Sequence, residues 1–171
     1  MKFSPVRVTK EQADDFVFRV HRHHDPDQGH RFSLGCWDNA RGVLCGVAVV
    51  GRPRAPGLDH RRGVEVTRCA TDETKHACSW LYGIAAEHAR LDGWAWIITY
   101  TLAEEGGASL RGAGWWGEEL PKSTHTWANR EGRDADHVLA GVRWLKLLGE
   151  HHEAPAVLKP TAQLQLLEAC T

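Results

Sequence analysis

From Val64 to Trp96 the chain reads VEVTRCATDETKHACSWLYGIAAEHARLDGWAW. Val64, Val66 and Arg68 alternate with Glu65, Thr67 and Cys69, the period-2 pattern of a half-buried strand. Then the period changes. Leu81, Ile84, Ala85, His88 and Ala89 recur at three- and four-residue steps, one face of an amphipathic helix, and Gly93 stands where a helix-terminating glycine belongs. The turn between them, Thr71 to Ser79, is rich in small and hydroxyl residues and opens straight into the helix. The first N–H groups of a helix lack intrahelical partners and sit at the positive end of its dipole, so this turn is a candidate anion site. Beyond Gly93, WAWIITYTL (Trp94 to Leu102) is apolar enough for a strand buried on both faces. Strand, helix, strand in this order predicts a parallel pair.

Upstream lies a predicted hairpin. Arg31 to Trp37 alternates, Asp38 to Gly42 is a turn, and Val43 to Val50 is strongly β-prone. The loop Arg52 to Arg62, rich in proline, glycine and arginine, is expected to reach the central strand without structure of its own. Ahead of the hairpin, Ala13, Phe16, Val17 and Val20 form an apolar helical stripe with Thr9 as N-cap, ended by Asp25-Pro26-Asp27. Downstream, Glu104 to Gly107 reads as a turn and Ala108 to Trp115 as a short helix ended by glycine. Trp116 to Trp127 fits a strand and loop, and Asn129 to Asp136 a polar connection. In the segment Asp136 to His152, Val138, Val142, Leu145 and Leu148 suit a helix, whereas Val142, Trp144 and Lys146 alternate as in a strand. Periodicity leaves both open. Thr161 to Ala169 is an expected short helix.

The 171 residues, 42% apolar with a formal charge of −1, suit one globular domain and give no overall attraction to nucleic acid. No apolar run approaches the roughly 20 residues of a membrane span, and MKFSPVRVTK lacks a signal-peptide core, so a cytoplasmic protein is expected. Five cysteines without CxxC spacing read as reduced and mostly buried. The imidazoles His21, His23, His24 and His30 are dense, yet no zinc-ligand spacing accompanies them. Substrate-facing imidazoles or a solvated helix end are expected there in place of a metal.

Four stretches, HRHHDPDQGHRFSLG, GVAVVGRP, EVTRCATDETKHACSWLYG and IITYTLAEEGGASLRGAGW, have an order and spacing that resembles the GNAT superfamily of acyl-CoA-dependent N-acyltransferases. Within it they are similar to the phage and prophage branch related to the Mom DNA-modification protein. The resemblance covers roughly Val20 to Trp116. It implies an α+β fold, one domain over residues 1–171 with a core of about 9–147 and a tail of 148–171. The mixed β-sheet would be splayed at its centre and flanked by helices, with Val142 to Leu147 as a strand. It further implies acetyl-CoA or another acyl-CoA as donor, with its pantetheine in the splay and its pyrophosphate at the turn before the central helix. The implied acceptor is an amine on a DNA base or modified nucleotide.

On that resemblance Thr67 and Arg68 belong to the cofactor-binding set. Thr74, Lys75, His76, Ala77 and Cys78 offer backbone donors to the pyrophosphate, with the Lys75 charge and the Ser79 hydroxyl in addition. One departure stands out. Typical members carry Arg/Gln-x-x-Gly-x-Gly/Ala, and Glu73 to Cys78 contains no glycine. Glu65 is the first candidate for general base, directly or through a water, and a surface ion pair is the alternative. His23 and His24 are alternative bases, being poised near neutral pH. The tyrosine that many acetyltransferases use as general acid is replaced by Leu110, which leaves Tyr100 and Ser109 as substitutes. His21, His30, Arg52, Arg54 and Trp115 are expected to hold the acceptor, the arginines through phosphates and an exposed indole by stacking on a base. Cys78 at a helix start invites a covalent route, but no base and orienting group accompany it. Two further readings remain open: a small-molecule or protein N-acetyltransferase, and a non-catalytic nucleic-acid-binding module on the same scaffold.

Overall fold

A computed structural model describes residues 1–20, 30–55, 57–120 and 141–149. Seven strands form one sheet: β1 (Phe3–Arg7), β2 (His30–Asp38), β3 (Val43–Gly51), β4 (Gly63–Thr71), β5 (Trp96–Leu102), β6 (Trp116–Glu119) and β7 (Gly141–Leu147), in the order β1-β2-β3-β4-β5-β7-β6. Every pairing is antiparallel except β4 with β5. Three helices accompany it, α1 (Lys10–Val20), α2 (Ala77–Leu91) and α3 (Ala108–Gly112). The hairpin, the central strand–helix–strand unit and the parallel pair match the sequence reading. The ambiguous segment after residue 140 is a strand, because it lies between β5 and β6 and pairs with both.

The two faces of the sheet bury different helices. Val47 and Val49 of β3 pack with Ala13, Phe16 and Val17 of α1, the stripe expected from its spacing. Ala48 and Val50 point the other way, to Leu81, Ala85 and Ala89 of α2 together with Val64, Val66 and Ile97. Apolar burial on both sides of β3 is why this strand reads as a nearly continuous hydrophobic run. Among the described residues no helix is long and apolar enough to cross a membrane.

Thr9 starts α1 as expected. Its Oγ1 accepts the Gln12 N–H at 3.2 Å while Gln12 Oε1 accepts the Thr9 N–H at 2.9 Å, a reciprocal cap. Thr9→Ala should therefore lower stability by about 1 kcal/mol in urea unfolding; a loss under about 0.3 kcal/mol would mean the cap is dispensable.

Several expectations need correction. β1 is a strand that the sequence pattern does not mark; Ser4-Pro5 breaks its alternation, and the proline is tolerated because β1 is an edge strand. The Arg52 to Arg62 loop is not a mere connection, since Leu58 is buried against Trp96 and Ile98 and the Arg62 carbonyl accepts the Ala95 N–H at 2.8 Å. Cys69 does not share a face with Glu65. The register runs from Val49↔Arg68 to Val50↔Val66, so Thr67 is a bulge and side chains beyond it change sides. Cys69 thereby packs with Val64 and Val66 beneath α2. The helix expected over Ala108 to Trp115 ends at Gly112, and the one expected over Thr161 to Ala169 lies outside the described residues.

Candidate active site

β4 and β5 pair only through Gly63↔Trp96, Val64↔Ile97 and Glu65↔Ile98, although both strands run on for several residues. At the fork Thr99 Oγ1 donates to the Val66 carbonyl at 2.8 Å. Beyond it the strands part around a cavity of about 840 Å³, walled by Val66 to Ala70 on one side and Thr99 to Leu102 on the other. Strand edges that have lost their neighbour present N–H and C=O groups, which suits an extended, amide-bearing ligand. Tyr82 from α2, Arg54 from the loop after β3 and Arg143 from β7 complete the walls.

Glu65 sits at the fork and is only 5% exposed. One carboxylate oxygen accepts the Arg54 N–H at 2.8 Å. Burial raises its pKa above the ordinary carboxylate value, and the Arg54 N–H with the charges of Arg54 and Arg68 draw it part of the way back. Glu65 is therefore a buried carboxylate, not one exposed on the surface. Tyr100, on the facing strand, has its phenol pKa raised by burial and by the Glu65 charge. Tyr82 is likewise raised, chiefly by burial. Arg68 lines the same cavity with its Nε buried and without a partner, while its Nη1 donates to the Thr67 carbonyl at 2.7 Å.

A second hollow of about 380 Å³ opens at the start of α2, lined by Thr71, Glu73, Thr74, His76, Cys78 and Ser79 with Ala108, Ser109 and Gly112. The turn above it is pinned from outside. Arg41 Nη1 donates to Asp72 at 3.0 Å and to Thr74 Oγ1 at 2.8 Å, and Lys2 Nζ donates to the Lys75 carbonyl at 3.2 Å. Two of the five expected backbone donors are engaged, Thr74 to Asp72 and Ala77 to the Thr74 carbonyl. The N–H groups of Lys75, His76, Cys78 and Ser79 bond to no described residue, as the orphan donors of a helix start should. These residues fit a diphosphate.

The missing glycine has a structural counterpart. His76 stands at the place of the first motif glycine and holds φ 71°, ψ −2°, the left-handed conformation that glycine adopts without strain. Its side chain is exposed and makes no hydrogen bond to a described residue. His76→Gly should raise stability by up to about 1 kcal/mol, the released left-handed strain exceeding glycine's extra unfolded-state freedom; an unchanged or lower urea midpoint would contradict this.

The predicted residues thus fall into two groups. Glu65, Thr67, Arg68, Tyr100 and Arg54 line the inner cavity, and Thr74, His76, Cys78, Ser79 and Ser109 the outer hollow. Ser109 accordingly stands with the diphosphate-facing set, not with Glu65. His30 bonds Ser33 Oγ at 2.9 Å, and Arg52 is exposed on the surface. His21, His23 and His24 lie outside the described residues. Trp115 must be corrected: it is 4% exposed and packs edge-on against Tyr82 with ring centroids 5.6 Å apart, so its indole cannot stack an incoming base. Leu110 is buried core, as a residue without a hydroxyl role would be. Tyr82, Cys69 and Arg143 also line the inner cavity, and the sequence pattern does not mark them as wall residues. Arg143 carried one signal, a charge in the middle of an apolar strand, where it pairs with Glu118.

No protein-family model matches the chain, and no curated protein matches its sequence. Solved structures do match. An acetyltransferase from Bacillus subtilis in complex with CoA is 16% identical, with a TM-score of 0.58 over 86% of this chain and 100% of the other. A Salmonella typhimurium protein described as an acetyltransferase, solved with its cofactor acetyl-CoA, is 17% identical, with a TM-score of 0.62 over 91% and 98%. A GNAT-family protein from Desulfovibrio desulfuricans is 14% identical, with a TM-score of 0.56 over 86% and 99%. At these identities the likeness establishes the fold: this chain has the GNAT architecture.

Proposed function

We propose that this protein is an acetyl-CoA-dependent N-acetyltransferase whose acceptor is an amino group on a DNA base. The observation that carries the transferase reading is the fork itself: a buried carboxylate where β4 and β5 part, with a cavity leading past it and a turn bearing unpaired N–H groups nearby. Acetyl-CoA would supply an activated acyl carbon on a thiol leaving group. The residues of this chain do the rest. The N–H groups of Lys75, His76, Cys78 and Ser79 hold the diphosphate. Glu65, its pKa raised by burial, takes the proton that the acceptor nitrogen loses as the N–C bond forms. Thr67, which the bulge leaves out of the strand register, offers its N–H to the carbonyl oxygen as negative charge gathers there. Tyr100 gives a proton to the departing sulfur as the C–S bond breaks. Protons and bonds balance: one leaves nitrogen for Glu65 and one reaches sulfur from Tyr100.

The DNA acceptor is supported by the resemblance to the Mom-related branch and by Arg54 in the cavity wall with Arg52 exposed beside it. A small-molecule or peptide amine is the second reading, favoured by the burial of Trp115, which removes one expected stacking platform. The test is incubation with labelled acetyl-CoA and either DNA, unmodified or carrying aminoalkyl pyrimidines, or free nucleosides, polyamines and peptides. Label on DNA, falling steeply with added salt, is the expected result. Label on polyamine or peptide alone would transfer the assignment to the second reading. The absence of a thermal shift with acetyl-CoA would leave only a non-catalytic role for the scaffold.

A further inference from the structure

Acyl transfer uses neither thiol of Cys69 or Cys78, yet the two sulfur atoms stand 3.8 Å apart. Cys69 lines the inner cavity and Cys78 the outer hollow, so the pair marks the boundary between them. Both are partly exposed, unlike Cys36 and Cys45, which are fully enclosed, with Cys45 Sγ donating to the Cys36 carbonyl at 3.2 Å. An oxidant in solvent reaches the first pair and not the second.

We propose that Cys69 and Cys78 form a reversible intrachain disulfide when hydrogen peroxide oxidises the protein, and that the bond narrows the passage between the two hollows. The contact with Cys69, assisted by the Ser109 hydroxyl against the opposing effect of burial, brings the Cys78 thiol down to about 7, so a large share is thiolate at neutral pH. Cys69 is pushed up, first by Cys78 and then by burial. Cys78 therefore attacks first: its thiolate takes one peroxide oxygen and becomes a sulfenic acid while the O–O bond breaks and the other oxygen leaves as hydroxide. The Cys69 sulfur then displaces the sulfenic hydroxyl, its proton leaving with that group as water. Two thiols and one peroxide give one disulfide and two waters. The sulfur atoms must close from 3.8 Å to about 2.05 Å, which draws the first turn of α2 and the end of β4 together.

The sequence makes the bond easy to read. Cleavage after Arg68, Lys75 and Arg90 places the cysteines in adjacent tryptic peptides, residues 69–75 and 76–90. The full chain is treated with hydrogen peroxide while folded, blocked with N-ethylmaleimide and digested. The expected product is the two peptides joined, about 2 Da lighter than their sum, and separated again by dithiothreitol. Cys69→Ser should abolish the joined species and let dimedone trap Cys78 as the sulfenic acid. Separate peptides, or a bond involving Cys36, Cys45 or Cys170, would overturn the pairing. Narrowing of the passage rests on the acyltransferase reading and has its own readout: acetyl-CoA should raise the Tm of the reduced protein and not of the oxidised one. A joined product with an unchanged ligand shift would overturn the narrowing. If the reduced protein shows no shift, the acyltransferase reading fails and the peptide result still decides the bond.

Discussion

Glutamine in place of Glu65 is expected to lower kcat for acetyl transfer by roughly 10²- to 10⁴-fold, the range that a positioned general base contributes, while leaving acetyl-CoA affinity unchanged. Glutamine keeps an oxygen for the Arg54 N–H and nearly the same volume, so the loss reports on proton transfer and not on packing. The pH dependence supplies a second signature. Because burial raises the Glu65 pKa, kcat/KM in the wild type should climb with pH through a limb above the ordinary carboxylate range, and that limb should vanish in the variant. Stability should move the opposite way. An acid whose folded pKa is raised lends stability that is complete below its unfolded pKa and is lost as pH rises through the folded one. At neutral pH the variant should therefore have a higher urea midpoint than the wild type, and the gap should shrink as the pH is brought down to about 4. A variant of near wild-type kcat would remove Glu65 from the chemistry.

Gly107→Ala should be the most damaging single-atom change to stability, at about 2 to 5 kcal/mol. Gly107 holds φ 61°, where an L-residue is strained, and an added Cβ would lie 1.9 Å from the Trp144 ring. The ring cannot easily give way. Its Nε1 donates to Thr101 Oγ1 at 3.0 Å, and it is itself buried in the main core cluster. A far lower Tm in a thermal scan is expected. A fall of less than about 1 kcal/mol in urea unfolding would show that this corner of the sheet repacks freely.

The core architecture was legible because it rests on period and punctuation. Alternation in β2, the β-prone apolar run of β3, the three-and-four spacing of α2 and the glycine after it each have a direct physical cause, and each element stands where its pattern does. What escaped notice depends on relations between strands. Nothing in V-E-V-T-R-C announces that Thr67 will be skipped by β3, yet that single slip decides which cavity wall Cys69 joins and brings it to Cys78. Spacing alone, nine residues with no CxxC, gave no hint of the pair. For Trp115, a place at the end of a short helix does not tell an exposed indole from a buried one, and the ring packs inward onto Tyr82. The left-handed His76 was hidden for the converse reason: a motif is read by residue type, and here the conformation is kept while the residue is not.

The strand order β5-β7-β6 means that β6, made earlier, finds its place only through a strand made later. Among the described residues Trp116 to Glu119 has no strand partner until Val142 to Leu145 arrives, and Glu118 has no Arg143. A nascent chain halted at residue 120 would carry the paired strands β1 to β5 and both large helices, but with β6 unpaired and a raw, unzipped flank along β5. Emergence of β7 from the ribosome is then the event that closes the β5 edge, and stalling just short of it should leave a chain that proteases and chaperones recognise.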